Sequence, residues 1–198
     1  MDAVNSVGKL DQLPRARLMS GATPLEEMPN LSKRLGGVRL LVKRDDMTGL
    51  AFGGNKVRQL EFYLGEAESS GADTIVITGA VQSNFVRLAA ASARTLGMDC
   101  PIPLEARVPK NGPAYQTSGN VLIDRMLGAT LHTFPEGEDE MAADRNLEQI
   151  AGNLRKNGRK PYVIHLAPGH TPLGALGYVD AERVLLEQCA AMAPNPDA

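Results

Sequence analysis

The sequence predicts an α/β fold in which an open parallel sheet lies between helices. From about residue 39, short β-branched runs alternate with longer segments of helical periodicity, which is typical of consecutive βα units. The clearest strand is 73–78, because its Thr, Ile and Val residues lie between Gly71 and Gly79. A chain of 198 residues, of which 43% are hydrophobic, is large enough to bury the core of such a fold.

Four further segments are candidate strands. Segments 130–134 and 161–166 have the same β-branched and aromatic character, and 38–43 is a third candidate. Segment 100–104 is a weaker candidate because two prolines interrupt it, and proline cannot donate a hydrogen bond to a neighbouring strand.

Helices are predicted between these strands, because apolar residues recur there every three or four positions. The three apolar stripes are Leu60, Tyr63, Leu64 and Ala67; Val86, Ala90 and Ala93; and Met141, Leu147, Ile150 and Leu154. Gly97, Gly128 and Gly158 follow helical segments and are expected to end them. A last helix is predicted from about Gly174 to Met192.

The composition argues against nucleic-acid and membrane partners. Lys and Arg number 21 and Asp and Glu number 23, which gives a net charge of −2, and aromatic residues make up only 4%. Such a chain lacks the basic surface that attracts phosphate backbones and anionic lipids, and it offers few rings for stacking bases. No segment reaches the roughly 20 apolar residues of a membrane span. With two cysteines and no signal-like start, the expected location is cytoplasmic.

The first candidate for chemistry is a glycine-rich turn that ends in a lysine. Residues 43–58 read KRDDMTGLAFGGNKVR, in which Gly53 and Gly54 permit positive φ and Lys56 stands at the start of a helix. The positive end of the helix dipole favours the neutral amine of such a lysine. A neutral amine in a partly desolvated cleft is the nucleophile of Schiff-base chemistry, although a lone lysine is more commonly a solvated surface group.

The second candidate is the turn between strand 73–78 and the alanine-rich helix. Ser83 or Asn84 is a natural N-cap for that helix. The free N–H groups of the first helical turn would bind a carboxylate or a phosphate. Ordinary caps use the same residue types, so this turn alone does not distinguish a binding site from a cap.

Together the two turns closely resemble the D-cysteine desulfhydrase and 1-aminocyclopropane-1-carboxylate deaminase family of pyridoxal-phosphate enzymes, which have fold type II. The matching segments span nearly the whole chain and are 43–46, 53–58, 82–84, 118–120, 161–164 and 173–178. The resemblance implies a three-layer α/β fold. Residues 1–49 would form an N-terminal arm and a strand of the large domain, 50–165 the small domain, and 166–198 the start of the remainder of a truncated large domain.

The resemblance also implies pyridoxal phosphate as the cofactor and assigns roles to five residues. Lys56 would be the catalytic Schiff-base lysine that also moves the Cα proton, with Asn55 and Asn84 as further cofactor contacts. The substrate would be bound by Gln82, Ser83 and Asn84, and Ser83 is also expected to be catalytic because it holds the substrate carboxylate at the helix N-terminus.

This sequence departs from the family pattern at two positions near these residues. Phe85 stands where desulfhydrases commonly carry His, and Gln59 replaces a basic residue that often follows the Lys-x-Arg group. Family members also continue beyond residue 198, where they supply a phosphate loop, a group that faces the pyridine nitrogen and a substrate-side tyrosine.

The resemblance predicts a lyase or deaminase for a small amino acid, with D-cysteine as the first substrate, which β-elimination converts to pyruvate, ammonia and sulfide. L-cysteate sulfo-lyase, with which segment 104–109 is compatible, and 1-aminocyclopropane-1-carboxylate deaminase are alternatives. A non-catalytic truncated remnant, or half of a split enzyme, is the rival from another class. A nucleotide-binding module is disfavoured, because no Gly-x-Gly-x-x-Gly follows a strand. A homodimer or a complementary chain is the expected assembly.

The histidines predict no metal site. His132 and His165 lie in predicted strands and are expected to be packed, and with His170 they lack the spacing of metal ligands. Segment 167–172 follows a strand and precedes a helix, so a phosphate loop is geometrically possible there. A connecting loop is favoured, because two prolines remove hydrogen-bond donors.

Overall fold

The computed structural model describes residues 9–109, 112–135 and 137–192, within which the strands form two parallel sheets and one antiparallel pair. The strands are β1 (Leu25–Glu27), β2 (Leu41–Lys43), β3 (Thr74–Ile77), β4 (Gly79–Ala80), β5 (Pro101–Glu105), β6 (Thr130–Phe134) and β7 (Pro161–Ile164). Strands β1 and β2 pair antiparallel, β3 pairs with β7 in parallel, and β5 lies between β4 and β6 in parallel. The predicted parallel α/β character is confirmed.

The helices alternate with these strands as the periodicity predicts. They are α1 (Pro29–Arg34), α2 (Lys56–Ser69), α3 (Asn84–Thr95), α4 (Pro113–Thr117), α5 (Asn120–Met126), α6 (Glu140–Lys156) and α7 (Leu176–Met192). Gly97, Gly128 and Gly158 all have positive φ just after a helix, as expected. The buried stripe of α6 differs from the prediction: Leu147 is buried with Ala143 and Ala151, while Met141 is exposed.

Segment 100–104, the weakest predicted strand, forms the centre of the three-stranded sheet. The Asp99 carbonyl accepts from Ile75 of β3 and its N–H donates to Asp73 just before β3, whereas the carbonyl of Cys100 accepts from Thr130 of β6. Odd-numbered residues of β5 therefore face β3, because backbone groups alternate sides along a strand. Pro101 and Pro103 thus remove donors only on the β3 side and leave the pairing with β6 intact. The two parallel sheets meet there through the single bridge Thr74–Asp99 within the described residues.

The hydrophobic core lies between α2, α3 and the parallel strands. Leu60 and Leu64 of α2 pack with Ile75 and Ile77 of β3, and all four side chains are fully buried. Helix α3 contributes mainly alanines, whose small side chains allow it to lie close to β3. Both α3 and α6 pack on β3.

The N-terminal arm is fastened to α2 by a buried carboxylate. Glu61, which is 2% exposed, accepts hydrogen bonds from the Arg15 guanidinium at 2.9 and 2.6 Å and from the N–H groups of Leu18 and Met19 at 3.0 Å. Arg58, equally buried, binds Asp45 just after β2 at 2.8 and 2.7 Å. The arm therefore lies against the helix that begins with Lys56.

Helix α7 crosses α2 at very short distance. A Cβ added to Gly177 would lie 2.1 Å from the carbonyl oxygen of Arg58, so only glycine permits this contact. Among the described residues, no helix is long and apolar enough to cross a lipid bilayer. The predicted division at 49/50 and 165/166 stays a prediction.

Candidate active site

The loop before α2 has an unusual backbone, in which three glycines and two other residues adopt positive φ. Its residues with positive φ are Gly49, Ala51, Phe52, Gly53 and Gly54. At Gly53 a Cβ would lie 2.0 Å from the Asp46 carbonyl oxygen. The Thr48 hydroxyl closes the loop, because it accepts from the N–H of Gly54 at 2.9 Å and donates to its carbonyl at 3.0 Å. The loop thereby presents Lys56 as the first residue of α2.

The Lys56 side chain is half-buried and its amine faces α3. Its Nζ lies 6.0 Å from the centroid of the Phe85 ring, over the ring face. Phe85 belongs to the first turn of α3 and lines the same cleft as Ser83. The Lys56 amine therefore lies beside the first turn of α3, which Ser83 caps, although Lys56 does not itself line the cleft.

Ser83 is the N-cap of α3, as expected. Its hydroxyl accepts the N–H of Val86 at 3.3 Å. Gly79 is required beside it, since a Cβ there would lie 2.9 Å from a Val86 methyl carbon and 3.1 Å from the Ser83 hydroxyl. The turn opens into a cleft of about 270 Å³ lined by Thr78, Gly79, Ala80, Gln82, Ser83, Phe85, Arg107, Tyr115 and Leu166.

Asn84 is held in one orientation by two donors. Its Oδ1 accepts from Arg87 Nη1 at 2.9 Å and from Asn120 Nδ2 at 3.0 Å. The assignment of oxygen and nitrogen is thereby fixed, because only an acceptor can face two donors. The Asn84 Nδ2 group is left to donate elsewhere.

Gln82 connects the turn to the segment between α4 and α5. Its Nε2 donates to the carbonyls of Tyr115 at 2.6 Å and Ser118 at 3.0 Å, and its Oε1 accepts from Asn120 N–H at 2.9 Å. These bonds direct the amide into the protein's own backbone. The structure therefore places Gln82 beside Ser83 with its amide bonded to the backbone, and the predicted substrate contact stays a prediction.

Asn55 lies just before Lys56 and is exposed. Its Nδ2 donates to the Tyr178 hydroxyl of α7 at 2.5 Å. The sequence contains Tyr178 within the family-like segment 173–178, but no local pattern connects it with Asn55. The contact forms because α7 crosses α2 at Gly177.

Arg87 is the main site residue that the sequence analysis missed. Only 8% exposed, it donates through Nη2 to the Gly53 carbonyl at 2.9 Å and through Nη1 to Asn84 and to Asn120 Oδ1, the last at 3.0 Å. One guanidinium thus joins the lysine loop, the start of α3 and the start of α5. The sequence did contain an indication of this role, because Arg87 is a charged residue one turn after the Ser–Asn pair in an otherwise alanine-rich helix.

A second buried ionisable group interacts electrostatically with Arg87. Asp124 of α5 is fully buried, and neither carboxylate oxygen has a hydrogen-bond partner among the described residues. Burial raises the pKa of Asp124 to about 7, although the Arg87 charge lowers it. Burial likewise lowers the pKa of Arg87, while Asp124 raises it.

The chain matches a known family over most of its length. The family model described as "Pyridoxal-phosphate dependent enzyme" matches residues 16–198. A 1-aminocyclopropane-1-carboxylate deaminase of Burkholderia ambifaria is 42% identical over 182 residues, which are 90% of this chain and 54% of that protein. A D-cysteine desulfhydrase of Salmonella choleraesuis is 39% identical over 181 residues, which are 91% of this chain and 54% of that protein.

Solved structures agree with this result. The crystal structure of a homologue of 1-aminocyclopropane-1-carboxylate deaminase superimposes with a TM-score of 0.80 and 37% identity, over 95% of this chain and 55% of the other. Diaminopropionate ammonia lyase from Escherichia coli shares the fold, with a TM-score of 0.68 and 19% identity over 96% of this chain and 50% of the other.

The chain therefore belongs to the family of pyridoxal-phosphate dependent enzymes. The resemblance found in the sequence and the α/β fold of type II are confirmed. The chain spans about half the length of the relatives it matches.

Proposed function

We propose that this chain provides the cofactor-binding lysine and the substrate-carboxylate site of a pyridoxal-phosphate-dependent lyase or deaminase for a small amino acid. The observation that carries the proposal is the direction of the Lys56 amine, which lies over Phe85 in the helix that Ser83 caps. D-cysteine is the first candidate substrate, because one relative is named D-cysteine desulfhydrase. Several relatives are named 1-aminocyclopropane-1-carboxylate deaminase, which makes that amino acid the second candidate.

The residues present fit one end of the cofactor. The amine of the half-buried Lys56, beside the Phe85 ring, would hold the aldehyde carbon of the cofactor. Asn84 Nδ2, which the two donors on Oδ1 leave free to donate, would bind the phenolic oxygen. Pyridoxal phosphate, when bound, withdraws electrons from Cα of an amino acid. Lys56 Nζ would then accept the Cα proton, for which it is positioned at the start of a rigid helix.

Ser83 would orient the substrate. The first N–H groups of α3 have no helical partner, and together with the Ser83 hydroxyl they suit a carboxylate. Holding the carboxylate there fixes which Cα bond faces the lysine amine. For D-cysteine the Cβ–S bond breaks and sulfur leaves with the bonding electrons, so that the amino acid and one water give pyruvate, ammonia and hydrogen sulfide.

The decisive experiment is chemical labelling of the lysine. The purified chain is mixed with pyridoxal phosphate, reduced with borohydride and digested, and the modified peptide is identified by mass spectrometry. We expect the label on Lys56, at about one per chain, and its loss in Lys56→Ala but not in the matched variant Lys160→Ala, which removes an exposed lysine. No label, or label spread over surface lysines, would support the non-catalytic remnant instead.

Substrate assays then rank the candidates. Pyruvate release is measured with D-cysteine and with L-cysteate, and 2-oxobutyrate release with 1-aminocyclopropane-1-carboxylate. Any release should disappear in Lys56→Ala, because that variant lacks both the covalent attachment and the proton acceptor. Residual turnover in that variant would contradict the proposed role of the amine.

A further inference from the structure

Three side chains outside the cleft converge at the carboxyl end of β7. His165 follows the last residue of β7, His170 lies in the loop after it, and Asp144 projects from the second turn of α6. Asp144 Oδ2 lies 3.1 Å from His165 Nδ1 and 3.4 Å from His170 Nε2. One carboxylate oxygen and two imidazole nitrogens thus lie within 4.8 Å of one another.

Within the part of the chain that the structure describes, two of these atoms are buried without a hydrogen-bond partner. Asp144 is 7% exposed, yet its Oδ2 and the facing His165 Nδ1 make no hydrogen bond, because their geometry is unsuitable despite the short distance. Buried polar atoms are normally paired, and an unpaired one lowers the stability of the fold. The other oxygen, Oδ1, accepts the N–H of Leu166 at 3.3 Å, which fixes the carboxylate toward the histidines.

The spacing of the atoms suits a tetrahedral metal. With Zn–N and Zn–O bonds of about 2.0–2.1 Å, neighbouring ligand atoms lie roughly 3.3 Å apart. The two separations from Asp144 Oδ2, 3.1 and 3.4 Å, bracket that value. A cation between the three atoms would therefore satisfy the unpaired oxygen and nitrogen without moving Asp144.

A second carboxylate contacts the other ring nitrogen of His165. Glu148, one turn after Asp144 on α6, places its Oε1 3.2 Å from His165 Nε2. Metal-bound histidines usually donate their other ring N–H to such a carboxylate, which fixes the tautomer and makes the ligating nitrogen more basic. With Nε2 protonated toward Glu148, the lone pair of His165 is on Nδ1, facing Asp144.

We propose that Asp144, His165 and His170 bind a divalent zinc ion, with Glu148 orienting His165. Two imidazoles and one carboxylate form a ligand set suited to borderline cations, and three protein ligands leave the fourth position to water. The His170 ring is stacked on His165, with centroids 3.7 Å apart and planes 4° apart. A metal bond lies in the plane of each imidazole, so the His170 ring tilts out of this stack when zinc binds.

The site connects α6 to the loop after β7. Leu166, between the two histidines, lines the cleft that contains Ser83. Zinc would hold this loop against α6, at the same edge of the sheet as the Ser83 cleft. This inference does not depend on the proposed enzymatic function, since the ligands lie outside the lysine loop and the Ser83 turn.

The test is metal titration of the untagged chain without added pyridoxal phosphate. Cys189 is exposed and could bind zinc itself, so all measurements use a Cys189→Ser background. Titration calorimetry with Zn²⁺ should give one saturable site, and Co²⁺ should produce the visible absorption of a tetrahedral complex. The imidazole proton resonances of His165 and His170 should shift on zinc addition, because the ring stack opens.

Variants decide whether these residues are the ligands. Asp144→Asn and His170→Asn should each weaken zinc binding by about 100-fold or more, and Glu148→Gln by about 10-fold. The chain contains three histidines, so His132→Asn is the matched control and should leave affinity unchanged. The His170 side chain is 46% exposed, so His170→Asn should leave the fold intact and any loss of zinc affinity reports on the ligand. Absence of a saturable site, or equal losses in His132→Asn and His170→Asn, would overturn the proposal.

Discussion

Replacing Asp124 with asparagine should change how stability depends on pH. Asp124 is fully buried on α5, and neither of its oxygens has a hydrogen-bond partner among the described residues. Burial raises the pKa of its carboxyl to about 7 against the opposing effect of Arg87, whereas the ordinary value is 3.8. The folded state therefore keeps a proton that the unfolded chain releases.

The sign and size of the effect follow from this difference. Well below pH 3.8 the carboxyl is protonated in both states, so its contribution to stability is fully present. As the pH rises toward 7 only the unfolded chain loses the proton, so the free energy of unfolding falls by up to about 1.4 kcal/mol per pH unit. Between pH 5 and pH 8 the loss amounts to about 2–3 kcal/mol.

Urea unfolding of the wild type and of Asp124→Asn at pH 5, 6.5 and 8 measures this loss. Asparagine has nearly the same shape as aspartate but no titrating carboxyl group. The free energy of unfolding of the variant, relative to wild type, should therefore rise by about 2–3 kcal/mol from pH 5 to pH 8. Glu68→Gln, which removes an exposed carboxylate, should show no such trend. Parallel pH profiles for wild type and Asp124→Asn would refute the argument that burial keeps the carboxyl neutral.

Two further substitutions test the lysine loop and the helix cap. Gly53→Ala should destabilise the chain by about 1–3 kcal/mol in urea unfolding, because its Cβ would lie 2.0 Å from a carbonyl oxygen at φ +70. Gly152→Ala, with nothing within 4 Å in the middle of α6, should instead stabilise it by up to about 1 kcal/mol, and a loss there similar to that of Gly53→Ala would contradict the steric argument. Ser83→Ala should lower the free energy of unfolding by about 1 kcal/mol, because the N-cap of α3 is lost. In an active preparation it should also raise KM for the amino acid by roughly 10-fold. Asp139→Ala removes the equivalent cap of α6, so it should cost similar stability and leave KM unchanged; a similar rise in KM in both variants would exclude a specific role for Ser83.

Local sequence was sufficient to locate most elements of the fold. Strands 130–134 and 161–164 and helices α2, α3 and α6 form where β-branched runs and apolar periodicity predict them, because these preferences act between near neighbours. The position of Lys56 was equally visible, since the sharp bend before α2 requires Gly53 and Gly54. Helix ends at Gly97, Gly128 and Gly158 followed from the same freedom of glycine.

Whether segment 100–104 forms a strand could not be decided from local sequence. Its prolines count against a strand only if their missing donors face a paired neighbour, and the side they face depends on which strands lie beside them. In the fold they face the side of β3 and β4, where, among the described residues, β5 is paired only before the prolines, at the Thr74–Asp99 bridge, and after them, with β4. Strand order, a property of the whole chain, therefore decided a question about two residues.

The sequence by itself determined the fold class, the family and the placement of Lys56 and Ser83 at two strand-to-helix turns. Only the tertiary structure revealed that Arg87 joins those turns, that Gln82 is directed into the backbone near Asn120, and that Asp144 reaches His165 and His170. The physical reason is distance along the chain. Propensity and periodicity describe groups a few residues apart, whereas these contacts join groups 20 to 40 residues apart that meet only when helices pack on the sheet.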